Sequence, residues 1–433
     1  MSAAVHSWGR RFRYRHELIR LFRREAALPE RSPMLPYGNG RSYGDTCLND
    51  GGTLLLATGL DRYVSFDATT GVIECEAGVL FSDIIDLLLP RGWFLPVTPG
   101  TAFVTVGGAI ANDVHGKNHH RAGTFAHHVL EFELQRSDGS VLRCSRTQNP
   151  EWFAATVGGL GLTGLIRSAR IQLRPVPGGW IHGDSRRFGS LTDFFRLSDD
   201  SETDFEYTVA WVDCTAAGKR RGRGIFIRGN HASGPGVPAA QSRLRFPFTP
   251  PWSLVNPLTL KPFNELYYHR PAAEQLDGRW DWRSFFYPLD GVLAWNRMYG
   301  PRGFFQYQCV VPREGGEAAI DEMLQRIARS GSGSFLVVLK IFGSMPSLGM
   351  LSFPRPGVTL AIDFQDRGPR TLALLESLDD ITRAMGGAVY PAKDARMSAE
   401  AFQRYFPAWE AFSGFVDPRF SSSFWRRVTG RPA

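Results

Sequence analysis

The sixteen residues Thr105-Val106-Gly107-Gly108-Ala109-Ile110-Ala111-Asn112-Asp113-Val114-His115-Gly116-Lys117-Asn118-His119-His120 constrain the fold more than any other stretch. The first part is built of small residues, which let a backbone come within hydrogen-bonding distance of a large ligand. The second part carries amides, a lysine and three histidines, which can orient that ligand and act on it. Few purely structural segments need both properties side by side. The segment therefore predicts backbone wrapped closely around a bulky molecule.

Two further glycine-rich turns bear on that ligand. Tyr37-Gly38-Asn39-Gly40-Arg41-Ser42-Tyr43-Gly44-Asp45 follows a short apolar run and can turn successive N–H groups toward one point. Paired with the turn from Pro99-Gly100 to Gly107-Gly108, about sixty residues on, it suits a ligand with two phosphates. Gly159-Leu160-Gly161-Leu162-Thr163-Gly164 matches G-x-G-x-x-G literally. A dinucleotide fingerprint of that type needs a strand before it and a helix after it. Here a helical pattern precedes and a strand pattern follows, so a tight helix-to-strand turn is predicted instead. No Walker A motif is present.

At 433 residues the chain is too long for one ordinary core, and two domains are expected. Residues 30–175 read as α+β with short elements: strands at 52–56, 72–77 and 165–173, a hairpin over 129–144, and helices at 81–89 (capped near Ser82) and 150–156. A boundary is predicted near Pro175-Val176-Pro177-Gly178-Gly179. Beyond it come longer strands at 207–212, 224–228, 304–311, 334–342 and 358–364, with helices at 316–330 and 369–385. This alternation predicts a sheet covered by helices on one face. Residues 229–280, with eight prolines, read as a loop. Residues 9–24, rich in arginine with apolar residues between, read as a solvated helix packing its apolar side on the domain. A membrane-surface or partner helix is the sharper alternative.

The two phosphate-cradling turns resemble the flavin pyrophosphate loops of the vanillyl-alcohol-oxidase-type FAD enzymes. The continuation Asp113 to His120 narrows the resemblance to the branch that oxidises decaprenylphosphoryl-β-D-ribose. Tyr287-Pro288-Leu289-Asp290, Trp295-Asn296-Arg297, Phe305-Gln306-Tyr307-Gln308, Lys340-Ile341-Phe342-Gly343, Leu351-Ser352-Phe353-Pro354 and Ala392-Lys393-Asp394 carry it along nearly the whole chain. The resemblance implies an α+β architecture. Its FAD domain is in two parts, residues 1–175 and 388–433. A substrate domain, residues 176–387, is inserted between them on an antiparallel sheet covered by helices.

The resemblance also implies a reaction: FAD-dependent oxidation of the 2'-hydroxyl of a polyprenyl-phosphate-linked ribose to a ketone. A separate NAD(P)H-dependent short-chain reductase would complete 2'-epimerisation to arabinose. The residues carried over for FAD are Gly38, Asn39, Gly40, Arg41, Ser42, Tyr43, Gly100, Thr105, Val106, Gly107, Gly108, Asn112, His115, Ile166 and Tyr390. Those for substrate are Tyr287, Gln306, Gln308, Lys340 and Lys393. Some relatives attach flavin through a histidine in the first loop. Arg41 stands there in this chain, so non-covalent FAD is expected. A cysteine of mycobacterial relatives aligns with Ala361, so an inhibitor needing that thiol should not trap this protein.

A hydroxyl gives up hydride readily only as its proton leaves, which requires a base at the carbon. Lys393 is the first candidate, with Lys340 and His115 completing the expected catalytic set. On residues alone Lys393 reads as a surface lysine paired with Asp394; the matched segment reverses that. Lys340 interrupts an apolar strand, where a charge wants an anion or an outward-facing edge position. Gln306 and Gln308 share one face at period two, as a pocket wall would. Five of the ten histidines lie between His115 and His128. His115 and His119 have metal-ligand spacing, but Gly116 weakens a helix there and Asp113 is the only nearby carboxylate. No metal is expected.

The net charge of +8 favours an anionic partner. The arginines are dispersed without an aromatic-basic motif, so no nucleic acid is expected, and a non-enzymatic adaptor is disfavoured. A free-alditol or sugar-lactone oxidase is the alternative enzyme reading. The five cysteines are scattered, which fits a reducing compartment. No apolar run reaches a membrane span, and no secretory apolar core is seen. The expected location is cytoplasmic, with peripheral contact at the inner face of the membrane as a further expectation.

Overall fold

The computed structural model describes residues 5–234 and 244–430. Its architecture is α+β, built on three main sheets. A small parallel sheet places Thr53–Leu56 between Glu17–Arg20 and Met34–Tyr37. A five-stranded antiparallel sheet runs Tyr63–Asp67, Val72–Glu76, Leu165–Gln172, Val129–Gln135, Val141–Ser145. An eight-stranded antiparallel sheet runs Gln275–Asp281, Trp180–Phe188, Gly224–Ala232, Tyr207–Val212, Val337–Phe342, Gly357–Gln365, Phe304–Val311, Ala388–Val389.

Strand alternation gives the large sheet two unlike faces. Phe305, Tyr307 and Cys309 point one way, as do Leu339, Leu360 and Ile362. They share a core with Phe194, Ile320, Leu324, Leu374 and Leu378 of the helices Leu191–Asp199, Gly316–Ser330 and Pro369–Ala384. The opposite face is free to line a cavity. A second core joins the five-stranded sheet to the helices Phe81–Leu88 and Val106–Ala111. The C-terminal segment returns to the first strands. Met34 N donates to the Arg419 carbonyl at 2.7 Å, and Ser421 N donates to the Met34 carbonyl at 2.9 Å.

Three expectations are corrected. Residues 9–24 form no helix; Glu17–Arg20 is a strand. Adjacent Leu18 and Ile19 pack against different hydrophobic clusters, which only a period-two backbone allows. Ser82 is not a cap: the N-cap of Phe81–Leu88 is Leu80, and the Ser82 hydroxyl bonds Asp83. The 229–280 region is not a loop throughout. The strand Gly224–Ala232 runs into it, and it contains the helix Pro257–His269 and the strand Gln275–Asp281. Pro257 occupies the first helical turn, where its missing N–H costs nothing, and the Asn256 side chain accepts from Leu258 N at 3.0 Å. Proline content pointed to a loop where proline was starting a helix. Residues 235–243 of that region lie outside the described residues.

Candidate active site

A cavity of about 450 Å³, within the range of small-molecule sites, opens between the five-stranded sheet and the free face of the large sheet. One wall is the two glycine loops. They approach so closely that a Cβ on Gly38 would sit 2.5 Å from Thr105 Oγ1. Asn39 Nδ2 ties them together by donating to the Phe103 carbonyl at 2.8 Å. Gly40 has φ +61°, a left-handed conformation that favours glycine. Thr105 caps the helix Val106–Ala111, accepting from Gly108 N at 3.1 Å. Gly100 has open space where a Cβ would project.

The other wall comes from three neighbouring strands. Gln306 and Gln308, Val338 and Lys340, and Thr359 and Ala361 all line the cavity. They form a cross-strand grid, because Gln308 and Val338 both pair with Ala361, and Lys340 pairs with Thr359. Lys340 lies on a strand flanked on both sides, so the outward edge position is ruled out. Tyr390, Ala392 and Lys393 follow the last strand and complete this wall. Tyr390 stacks on Phe353 at 4.7 Å and donates to the Asn112 carbonyl at 2.7 Å, joining the walls.

The lining is cationic. Arg41, Arg245, Lys340 and Lys393 face it, against the carboxylate of Asp290, which accepts from Ala102 N at 2.8 Å. The Arg41 guanidinium lies 4.2 Å from the Trp8 ring and 5.1 Å from Phe103, and its buried Nε has no partner. Burial pushes the Lys393 amine down to about 7, with Asp363 opposing the fall and Lys340 adding to it. Burial likewise brings Lys340 down to about 8; its Nζ donates to the Gly116 carbonyl at 3.2 Å. His115 is kept neutral, its pKa held well below the ordinary value by burial and by the charge of Lys340. Gln308 Nε2 lies 2.9 Å from His115 Nε2. With the amide donating, the imidazole proton sits on Nδ1, which is buried and has no partner.

These features fit FAD. Arg41 Nε and His115 Nδ1 are polar atoms awaiting a partner, and the loops form a cradle that added side chains would fill. Leu165 and Ile166, beside Ala57 and Ala77, supply an apolar part of the lining.

Residues 20–145 match the FAD binding domain family. The chain is 38% identical over 411 residues to the decaprenylphosphoryl-beta-D-ribose oxidase of Mycolicibacterium smegmatis, covering 90% of this chain and 88% of that protein. This chain belongs to the decaprenylphosphoryl-β-D-ribose oxidase family. It is also 36% identical over 367 residues to an uncharacterized protein of Streptomyces coelicolor, covering 80% of this chain and 98% of the other. Cytokinin dehydrogenase 7 of Oryza sativa subsp. japonica is 28% identical over 205 residues, covering 45% of this chain and 39% of that enzyme. As a family member the chain is an FAD-dependent oxidoreductase acting on CH–OH groups, with FAD as its cofactor.

The structure brings most of the predicted residues to this one cavity: Gly38, Asn39, Gly40, Arg41, Ser42, Tyr43, Gly100, Thr105, Gly107, Gly108, Asn112, His115, Ile166, Gln306, Gln308, Lys340, Tyr390 and Lys393. Two are elsewhere. Val106 is fully buried in the core behind the loop. Tyr287 is buried against Trp282 and Phe286, with its hydroxyl on Thr98, so Leu289 and Asp290 face the cavity instead.

Other predicted features disperse. Lys117 Nζ turns to the Phe285 carbonyl. The remaining histidines of the cluster take separate partners: His119 accepts from Gly343 N, His120 meets the Phe205 carbonyl, His127 meets Thr124, and His128 meets the Ala122 carbonyl.

Several lining residues escaped sequence reasoning. Leu160, Gly161 and Gly164 show that the helix-to-strand turn also faces the cavity. Behind the lining, buried Asp363 accepts from Gln306 Nε2 at 2.9 Å and is pushed up to about 7 by burial. A carboxylate at period two from Ala361 in an apolar strand was the available signal.

Proposed function

We propose that the protein oxidises the 2'-hydroxyl of a polyprenyl-phosphate-linked ribose to the 2'-keto sugar. The observation that carries this reading is the convergence of two half-buried lysines, Lys340 and Lys393, with Gln306 and Gln308 on the wall facing the glycine loops. This convergence occurs in a chain similar along 90% of its length to a decaprenylphosphoryl-beta-D-ribose oxidase.

FAD held by the loops supplies the hydride acceptor. Lys393 Nζ, neutral near pH 7, takes the hydroxyl proton as hydride leaves the same carbon. Lys340, retaining its proton to higher pH, holds the substrate phosphate, and Gln306 and Gln308 orient the sugar. His115, neutral, would be among the residues holding the flavin, with Nδ1–H as its free donor. Tyr287 supports the 288–290 turn rather than touching substrate. Arg41 cannot form a flavin linkage, which supports non-covalent FAD. The docking of 419–421 onto Met34 supports a two-part FAD domain, 1–175 with 388–433, around a substrate domain at 176–387. The ketone would pass to an NAD(P)H-dependent short-chain reductase. No described helix is long and apolar enough to cross a membrane, and the reading puts the protein in the cytoplasm, meeting its substrate at the inner membrane face.

Anaerobic mixing with polyprenylphosphoribose should bleach the flavin absorbance, and a 2'-keto sugar should be recovered. Bleaching by free alditols alone, with hydrogen peroxide released in air, would favour the sugar-lactone oxidase reading instead. The pH dependence is a second expectation. Reduction needs Lys393 without its proton and Lys340 with it. The rate constant should therefore rise through about pH 7 and kcat/KM should fall above about pH 8. Stopped-flow reduction across pH 5.5–9.5 (about four units) reads both limbs; a flat profile would remove Lys393 as the base.

A further inference from the structure

We propose that the apolar surface of residues 244–266 docks on an anionic lipid bilayer and receives the substrate's polyprenyl chain from it, an inference that rests on the lipid-linked substrate proposed above. Soluble proteins rarely expose contiguous large apolar side chains without a use for them. Here Leu244 is 72% exposed, Phe248 63%, Trp252 69%, Leu258 86% and Leu266 74%. They lie within 23 residues of one chain segment. Leu258, Pro262 and Leu266 share the outer side of the helix Pro257–His269, whose inner side buries Leu260 and Asn264.

Charge complementarity selects the bilayer as occupant. No acidic residue occurs between 244 and 264, while Arg245 and exposed Lys261 do. Arg10 reaches Thr249 Oγ1 at 3.0 Å, and Arg297 holds the Phe246 and Pro247 carbonyls at 3.2 and 3.0 Å. The helix's one carboxylate, Glu265, is engaged by Arg223 at 2.5 Å and Arg220 at 3.6 Å. Apolar side chains rimmed by cations are the composition of an interfacial, non-spanning membrane contact, with tryptophan favoured at the headgroup level.

Continuity with the cavity gives the contact a purpose. Leu244–Arg245 pairs with Val292–Leu293, and Arg245, Val292 and Leu293 all line the cavity. Val255 and Leu260, which anchor the exposed segment, pack in one cluster with Trp295, another lining residue. A lipid tail leaving the bilayer at this surface would reach the cavity beside Arg245, Val292 and Leu293.

Co-sedimentation of the FAD-loaded protein with phosphatidylglycerol–phosphatidylcholine vesicles tests the surface without any substrate. The protein should pellet with these vesicles and much less with phosphatidylcholine alone. The triple variant Trp252→Ser, Leu258→Ser, Leu266→Ser should bind about tenfold or more weakly. Its flavin spectrum and melting temperature should be unchanged, because all three side chains face solvent. Failure of the wild type to pellet, equal pelleting of the variant, or displacement of the interaction by a keto-reductase rather than by salt would overturn the proposal. Vesicle binding lost in the triple variant, in a protein whose flavin no lipid-linked sugar bleaches, would support the surface and defeat the substrate reading separately.

Discussion

Lys393→Met should retain FAD and lose flavin reduction by the lipid-linked sugar by about a factor of 10² to 10⁴, the range for removing a positioned general base. The amine sits 4.0 Å from the centroid of the Tyr43 ring and faces the cavity, so the slightly shorter, unbranched apolar side chain fits with little repacking. Asp363 keeps its hydrogen bond from Gln306 in the variant, and the wall is preserved. Methionine does not titrate, so the residual rate should also lose its rise through about pH 7. Anaerobic absorbance at saturating substrate reads the rate, and the protein-to-flavin ratio reads retention. Wild-type reduction by a flavin-loaded variant would reassign the base.

Arg427→Met should cost about 3 kcal/mol or more, the range for breaking one partner out of a buried ion pair. Arg427 Nη2 bonds Asp45 Oδ1 at 2.6 Å and Asp394 Oδ2 at 3.1 Å, and both carboxylates are almost fully buried. The arginine is the cation between them. Asp45 follows Gly44, whose added Cβ would fall 1.5 Å from the Asp394 carbonyl, so the helix Ser423–Thr429 clamps the first glycine loop onto the segment bearing Lys393. Weakened FAD retention should accompany the instability.

The pH dependence of that loss has a definite sign. Burial already raises the Asp45 pKa above its ordinary value, and removing the guanidinium removes what opposes it. A carboxyl with a folded-state pKa above its unfolded value is stabilising when protonated, and that contribution disappears as pH rises through the folded pKa. The variant's deficit should therefore shrink as the pH is lowered from neutrality, as read from urea midpoints. A pH-independent deficit would assign the loss to packing alone.

Local chemistry left the clearest marks in the sequence. Gly38, Gly40, Gly107 and Gly108 announce close backbone approach, and the loops do meet at Gly38 and Thr105. The strands Tyr207–Val212 and Phe304–Val311 and the helices Pro150–Thr156 and Gly316–Ser330 are periodic enough to be read at their observed bounds. The strand Glu17–Arg20 was not legible. Its pairing with Thr53–Leu56, more than thirty residues away, outweighs the helical look of an arginine-rich run. Tyr287 stands in a matching motif, yet its neighbours Trp282 and Phe286 bury it, and position in a motif does not encode which way a side chain turns.

The sequence by itself determined where backbone must come close to a ligand, because only glycine and other small residues permit that approach and their effect is local. It also determined that Gln306 and Gln308 share a face, because strand periodicity is local too. Only the tertiary structure decided that this face meets Lys340, Thr359 and Ala361 in one wall. That depends on the order in which distant strands pair. It decided as well that Lys393 is desolvated rather than at the surface, and that Asp363 and Arg427 stand behind it. Burial and charge neighbours come from the whole packed chain, and they make the difference between an ordinary lysine and one that titrates near neutrality.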